Sequence, residues 1–543
     1  MVFARRSTTL LAAIIASCAM VLSLTACTSD NKTVVDGQTT VTSNSAGGVA
    51  VFTPSDGITL NQQTPLNKWA KLVPDLAKAL ADAGFKKGHI NHTTSDSLDK
   101  QSRAIQDFVV DHLSNNTTDD SGIAIAPDNM TLLVAPVVEA DASTRQYGDY
   151  VSQNLSTNDA TDGEATSDGE SSEDDSSKDD SSNTESDSTA SDEQAQAVDR
   201  LVSSLKLAKE SGMHVVLLGN SIEGYKPDAF VKFSDAQTIG KLQAEKMVSK
   251  LKLDKASKDN PKYIEVLLPY TAVDEKGNAN DSTFAQEAFR GIWQVLGSYY
   301  QKGVVESPSG TLDGKSTEND WQAVAYDAAK EGSTAKVLDK RLAKTDGQST
   351  LTRIDGIITM NDYIASEVVK ELDDLGYTGS AADINPQITI SGIVGNITGK
   401  KDLSRDAVPD PIKSPENDNA NDSSSSDDDA DEDTSASDKD RDSQWPLVTG
   451  YGAYVSNIPS IVNGKQWMTG MEDRQTIATD IAQACAKLNK DEALNSMPSI
   501  RNSEVGGVKK IPTISEPLLA VSASNLKSAL IDPGYISLAD AGL

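Results

Sequence analysis

Two adjacent polar residues, Asn361 and Asp362, are the side chains in this sequence best placed to bind a ligand. They follow an apolar run at residues 354–358, and a helical pattern of apolar residues begins directly after them, within the segment 354–379. Ligands of open parallel sheets bind at the carboxyl ends of strands, where a carboxylate and an amide can hydrogen-bond a polar small molecule. Asn and Asp are also ordinary helix N-caps, so capping and ligand contact both stay open.

No arrangement of residues in the sequence requires catalysis. Of the four histidines, only His89 and His92 have a spacing that could hold half of a metal site, and no further ligand cluster follows. Residues 219–224 approach a nucleophile elbow, but the second glycine is one position late and no histidine is evidently placed to activate Ser221. Phosphate-binding and dinucleotide-binding glycine motifs do not occur. We therefore predict a protein that is not an enzyme, with no cofactor, no catalytic residue and no metal.

Most of the negative charge lies in two tracts rich in Ser, Asp and Glu. Residues 156–196 hold 14 acidic residues and one lysine, and residues 415–442 hold 12 acidic and two basic residues, so the tracts carry −13 and −10 of the total −32. They lack apolar side chains for a core, which predicts two disordered, solvent-exposed insertions at 156–196 and 403–444. The overall negative charge also argues against nucleic acid as a partner, because its phosphates would be repelled.

The N-terminus has the features of an export signal. A pair of arginines precedes an apolar run at about residues 10–24, which is too short for a stable membrane span. The run ends in LTAC at residues 24–27, which resembles the lipobox of bacterial lipoproteins. We therefore predict a signal peptide at 1–26, a lipid on Cys27, a flexible tether at 27–48, and a location on the extracytoplasmic face of the cell membrane. An ordinary secretory signal with an incidental cysteine is the alternative.

Beyond the tether, strand-like and helix-like patterns alternate. This alternation is typical of an α/β fold with parallel sheets flanked by helices. Among the helices, we expect one at 197–209, directly after the first acidic tract, and one at 321–330. Two strand positions stay open, each with two candidates: 122–127 or 132–138, and 388–392 or 446–450.

Motifs near the end of the chain carry a family resemblance. Residues 455–478, which include Gln466-Trp467-Met468-Thr469, are similar to a segment that crosses back through a hinge, and residues 517–535 are similar to a closing strand and helix. Single matches occur elsewhere, at Trp69, Gln101, Asp235, Gly240, Trp321, Asn361 and Asp362. Together these features resemble the xylose- and ribose-type sugar-binding proteins of bacterial ABC importers, the type 1 periplasmic-binding-protein family.

The resemblance implies two Rossmann-like lobes that are joined by a hinge and close on one ligand. It places the N-lobe at 49–232 and 469–505, and the C-lobe at 233–468 and 506–543, with one acidic insertion in each lobe. It also implies an ABC permease in the membrane as the partner to which the ligand is delivered.

Several pocket positions depart from the family pattern. Gly219-Asn220 stand where the family usually has Asp-Arg, and Glu472 replaces a hinge lysine or glutamine. Gly450-Tyr451-Gly452-Ala453 stand where the family has Gly-Gln-Asp-Ala, so an expected carboxylate is missing. Charged hydrogen bonds dominate such sites. These departures therefore indicate that the chain keeps the fold of the family but binds a different ligand. The ligand-facing residues implied by the resemblance are Asn361, Asp362, Asp235, Glu472, Trp69, Asn220 and Tyr451.

The aromatic residues of the implied pocket have two readings. Trp69, Phe284, Tyr451 and Trp467 could stack on the C–H faces of a sugar, or they could be ordinary core residues. The expected function is capture of a sugar or related polar small molecule for an ABC importer. A ligand-sensing or surface-interaction lipoprotein that reuses the scaffold without transport is the alternative.

Overall fold

The structure is a computed structural model, and it describes residues 46–55, 65–115, 125–138, 145–157, 185–273, 280–343, 351–381 and 443–543. The predicted signal peptide, Cys27 and nearly all of the tether lie outside the described residues. So do residues 158–184 of the first acidic tract, residues 403–442 of the second insertion and the candidate strand 388–392. Within the described part of the chain, no helix combines the length and apolarity needed to cross a membrane.

The strands and helices alternate along the chain as expected. The strands are β1 (Gly48–Pro54), β2 (Ile90–Ser95), β3 (Met130–Val134), β4 (Asn154–Leu155), β5 (His214–Leu218), β6 (Ser221–Ile222), β7 (Ala229–Lys232), β8 (Lys262–Val266), β9 (Leu268–Pro269), β10 (Val305–Glu306), β11 (Ala325–Tyr326), β12 (Gly356–Ile358), β13 (Leu447–Tyr451), β14 (Met468–Met471), β15 (Ile500–Val505), β16 (Val508–Ser515) and β17 (Leu519–Ser522). The α-helices are α1 (Trp69–Asp82), α2 (Leu98–Asn115), α3 (Glu185–Glu210), α4 (Ala236–Leu251), α5 (Thr283–Gln301), α6 (Trp321–Val324), α7 (Ser333–Arg341), α8 (Asp362–Leu375), α9 (Ile458–Val462) and α10 (Arg474–Leu488).

Two large sheets define two lobes. The N-lobe sheet has the order β15-β16-β7-β5-β3-β1-β2, and the C-lobe sheet has the order β10-β8-β12-β13-β14-β17. Neighbouring strands are parallel except at the edge pairs β15–β16 and β14–β17. Helices cover the faces of both sheets, so inner strands such as β3 and β13 are buried along their whole length. The predicted α/β class with two parallel-sheet lobes is confirmed.

The helices that flank the cleft form for local reasons. In α1, Trp69, Leu72, Leu76 and Leu80 recur at helical spacing and bury one face against the N-lobe sheet. Helix α8 begins at an N-cap, Asn361, and ends before a glycine in the left-handed region, a common helix stop.

Three short segments cross between the lobes. Residues 233–235 connect β7 to α4, residues 472–473 connect β14 to α10, and residues 516–518 connect β16 to β17. The predicted boundary at 505/506 is wrong, because β15 and β16 form an antiparallel hairpin and β16 also pairs with β7 in the N-lobe. The turn is Gly506-Gly507, with φ of 55° and 76°, a sequence signal for a two-residue hairpin. The predicted boundary at 468/469 also shifts, since all of β14 belongs to the C-lobe sheet.

Other element predictions are resolved or corrected by the sheets. β3 overlaps the candidate strand 132–138, and β13 nearly coincides with the candidate 446–450. The helix predicted at 197–209 begins earlier, at Glu185, inside the acidic tract. The helix predicted at 321–330 ends at Val324, where the chain turns into β11 and pairs with β9.

Candidate functional site

The first two crossings, residues 233–235 and 472–473, meet in a buried polar network around Glu472. One oxygen of its carboxyl, Oε1, accepts a hydrogen bond from the Ser234 backbone N–H at 2.6 Å. The Ser234 hydroxyl in turn shares a 2.5 Å hydrogen bond with the hydroxyl of Tyr451. Burial raises the pKa of Glu472 to about 7, although the Ser234 and Tyr451 side chains favour the charged form. The network therefore joins the first two crossings to the end of β13.

Asp362 lies inside the C-lobe and does not line the cleft. Its carboxylate accepts hydrogen bonds from the Tyr454 backbone N–H at 2.9 Å, the Gln466 side-chain amide at 2.7 Å and the Thr469 hydroxyl at 2.8 Å. Burial raises its pKa to about 6 against these hydrogen bonds. A Cβ on Gly450 would stand 2.2 Å from the carboxylate. Asp362 therefore holds the loop after β13 against β14, and the ligand role implied by the resemblance stays a prediction.

Asn361 does reach the interface between the lobes. Its Oδ1 accepts a hydrogen bond from the Ile364 N–H and caps α8, while its Nδ2 donates to the side-chain oxygen of Gln146 at 3.0 Å. Gln146 belongs to the connection between β3 and α3 of the N-lobe. Both roles that the sequence left open, cap and cleft contact, are thus filled by one side chain.

Asp235 caps α4 at the first crossing. Its Oδ1 accepts hydrogen bonds from the N–H and hydroxyl of Thr238 at 2.7 Å and 2.6 Å, and Oδ2 pairs with Lys232 at 2.9 Å. Burial acts to raise its pKa, but the contacts with Thr238 and Lys232 outweigh burial and lower it. Asp235 is therefore an ionised cap beside the hinge.

The cleft is occupied by residues 145–155, which we call the interlobe strap. On the N-lobe side, Asp149 pairs with Lys68 at 2.6 Å, and the Tyr150 hydroxyl donates to the Lys68 carbonyl at 2.5 Å. The end of the strap is β4, which pairs in parallel with β6. These contacts fix the strap to the N-lobe beside the first helix.

Two further predicted site residues hold the strap. The ring of Trp69 meets the ring of Tyr150 edge-on, with centroids 5.0 Å apart, and packs on Phe233 at 5.7 Å. The side chain of Asn220 accepts a hydrogen bond from the Gln153 N–H at 2.9 Å and donates to the Pro136 carbonyl at 2.9 Å. Trp69 and Asn220 therefore lie at the predicted ligand cleft, but there they contact Tyr150 and Gln153 of the strap.

The first residues of the strap contact the C-lobe. The ring of Tyr147 is 1 % exposed and packs 4.6 Å from Phe284 and 6.3 Å from Tyr451, centroid to centroid. The Tyr454 hydroxyl donates to the Gln146 carbonyl at 2.6 Å. Three of the four candidate stacking residues thus contact an aromatic ring of the strap: Phe284 and Tyr451 contact Tyr147, and Trp69 contacts Tyr150. Trp467 is instead a core residue of the C-lobe.

The strap was missed in the sequence because no periodic pattern marks it. Its tyrosines stand among polar residues just before the acidic tract, a position that favours an ordinary loop. The described residues also contain no group of three or more His, Cys, Asp or Glu side chains that could hold a metal ion. The arrangement is suited to holding a ring between two lobes by aromatic contacts and hydrogen bonds.

Comparison with known proteins gives distant structural similarity. No family model matches the chain, and no curated protein does either. A solute-binding protein of an ABC transporter from Clostridium phytofermentans, solved with β-D-glucose, is 16% identical, with a TM-score of 0.43 over 91% of this chain and 99% of that one. A carbohydrate-transporter solute-binding protein from Chloroflexus aurantiacus with D-glucose is 18% identical, with a TM-score of 0.43 over 91% and 98%. A periplasmic ribose ABC transporter protein from Conexibacter woesei is 13% identical, with a TM-score of 0.42 over 90% and 96%.

Proposed function

We propose that the protein is a non-catalytic, extracytoplasmic solute-binding lipoprotein. Its two lobes would close on a sugar or related polar small molecule and deliver it to the permease of an ABC importer. The observation that carries this proposal is the pair of parallel-sheet lobes joined by three short crossings. Such crossings can act as hinges, because a few residues between rigid elements can absorb the dihedral changes of closure.

The groups around Tyr147 suit a polar ring as ligand. Phe284 and Tyr451 offer aromatic faces, on which the C–H groups of a sugar can stack. Asn361 Nδ2 and the Tyr454 hydroxyl supply hydrogen-bond donors at the same place. A ligand that contacts both lobes would bind the closed form better than an open one, which is the differential affinity that closure requires.

The proposed location rests on the N-terminal sequence. Processing before Cys27 and lipidation of its thiol would hold the protein on the outer face of the membrane, beside the proposed permease. The tether at 27–48 would leave the lobes free to reach that partner.

A second function is favoured by one observation, the occupied cleft. Because the chain fills the space between its own lobes with Gln146 and Tyr147, the scaffold could serve as a sensor or a surface-interaction module without transport. A surface-interaction module would need no sugar in the cleft, and the strap would then be a permanent part of the core.

Calorimetric titration separates sugar capture from the surface-interaction role. The mature chain would be titrated with a pentose, a hexose and an oligosaccharide panel at up to millimolar concentration, with Phe284→Ala as the cleft variant. Transport predicts binding of at least one sugar by the wild type and weaker binding by the variant. If neither the wild type nor Tyr147→Ala, which removes the ring that fills the cleft, binds any sugar, the transport proposal is wrong and the surface-interaction role stands.

A further inference from the structure

We propose that the interlobe strap is an internal ligand: Gln146 and Tyr147 occupy the cleft and hold the lobes closed until a solute displaces them. This inference deepens the proposed function and depends on it for the identity of the displacing solute. The lobe-holding role itself depends only on the contacts of the strap.

The contacts of the strap are divided unequally between the lobes. Residues 149–155 bind the N-lobe through the ion pair of Asp149 with Lys68, the ring contacts of Tyr150 and the β4–β6 pairing. Among the described residues, the hydrogen bonds from the strap to the C-lobe lie at its start, at the carbonyl and side chain of Gln146. Opening of the lobes can therefore leave the strap on the N-lobe and break a small, local set of contacts.

Tyr147 occupies its site in the way that a ligand would. Its ring contacts Phe284 and Tyr451 of the opposite lobe and packs with the C-lobe core, as Val151 of the strap also does, whereas Asp149 and Tyr150 between them bind the N-lobe. Its buried hydroxyl has no partner of normal hydrogen-bond geometry among the described residues. The side chain of Asn361 lies close enough to favour ionisation slightly, but burial raises the pKa of the hydroxyl. A solute with better-placed polar groups would gain the hydrogen bond that Tyr147 lacks.

The site around Tyr147 indicates the class of solute. It holds one six-membered ring, tilted by 52° to Phe284 and by 39° to Tyr451, with Asn361 and Tyr454 close enough to bind polar groups on that ring. A polar ring of about this size fits better than an extended peptide or a metal ion. If the strap is docked in nine molecules of ten, its removal should raise the apparent affinity for the solute about tenfold.

The experiment uses the full mature chain and the variant Tyr147→Ala. Small-angle scattering should show a larger radius of gyration for the variant than for the wild type. Added p-cresol, which copies the missing side chain, should return the radius to the wild-type value and raise the melting temperature. Tyr300 is the matched control, because it is equally buried but bonds the Ile264 carbonyl inside the C-lobe. Tyr300→Ala should lower the melting temperature without changing the radius.

A second variant covers the case in which Tyr147→Ala does not fold. Tyr454→Phe removes only the hydroxyl that donates to Gln146, and its backbone contact with Asp362 remains. Hydrogen exchange of the strap amides should then become faster. A wild-type radius in Tyr147→Ala with no response to p-cresol, or unchanged exchange in Tyr454→Phe, overturns the inference. A cresol-responsive Tyr147→Ala that binds no sugar leaves the inference standing and refutes the transport function.

Discussion

The buried carboxyl of Glu472 predicts a specific pH dependence of stability. Its pKa is about 7 in the fold, against 4.5 for an ordinary glutamate, and burial is the cause. Below pH 4.5 the group is neutral in both the folded and the unfolded chain. As the pH rises from 4.5 to 7, the unfolded chain loses its proton first, so the free energy of unfolding falls and then levels off.

The size of this effect follows from the two pKa values. Each unit of difference corresponds to about 1.4 kcal/mol, so the full loss is about 3 kcal/mol, of which about 2.5 kcal/mol falls between pH 5 and pH 8. Glu472→Gln should remove this part of the pH dependence. The glutamine oxygen can still accept from the Ser234 N–H, and its amide can donate to the neighbouring hydroxyls of Ser234 and Tyr451.

Urea unfolding at pH 5 and pH 8, followed by circular dichroism, measures the effect. We expect Glu472→Gln to be more stable than the wild type at pH 8 and close to it at pH 5. Glu265 is the matched control, since it is fully buried but pairs with Arg341 at 3.4 Å. Glu265→Gln leaves a buried cation without its counter-charge and should destabilise the fold at both pH values. If the wild type and Glu472→Gln lose stability in parallel between pH 5 and pH 8, the assigned role of Glu472 is refuted.

Three further predictions test the structural roles and the membrane attachment. Asp362→Ala removes the acceptor of three buried hydrogen bonds. In chemical denaturation at pH 5 it should lower the free energy of unfolding by about 3 kcal/mol. A variant as stable as the wild type would contradict the structural role of Asp362. Gly450→Ala places a methyl 2.2 Å from the Asp362 carboxylate and should lower the free energy of unfolding by about 1–3 kcal/mol. Gly314→Ala, whose methyl would have its nearest contact at 3.4 Å, should lower it less in the same assay. Equal losses of stability would refute the clash at Gly450. Metabolic labelling with a palmitate analogue should be lost in Cys27→Ser, and retained labelling would exclude Cys27 as the attachment site.

The sequence predicted the architecture well because its signals are local. Alternating apolar patterns and capping residues depend on neighbours within a few positions, so the strand-turn-helix unit around Asn361 was located correctly. The sequence signal for the hairpin at Gly506-Gly507 is equally local. The boundary implied by the family resemblance nevertheless assigned the second strand of the hairpin, β16, to the C-lobe, whereas it belongs to the N-lobe sheet.

The roles of the site residues were less predictable because they depend on distant parts of the chain. Asp362 is buried by groups about 90 to 110 positions later, so its sequence neighbours could not distinguish an internal hydrogen-bond acceptor from a ligand contact. The occupied cleft depends on the docking of Gln146 and Tyr147 against a lobe more than 130 positions further along the chain. Neither contact leaves a periodic trace in the sequence.

The distance between the lobes, measured in solution, tests the proposed closure most directly. Lys78 of the N-lobe and Lys330 of the C-lobe have side chains that are 82% and 80% exposed, so cysteines at these positions can carry spin labels. In the wild-type background we predict one short distance with or without sugar. In Tyr147→Ala we predict a longer, broader distribution that returns to the short distance when a sugar is added. A distribution that neither the substitution nor any sugar changes would contradict both the internal ligand and the closure of the lobes on a solute.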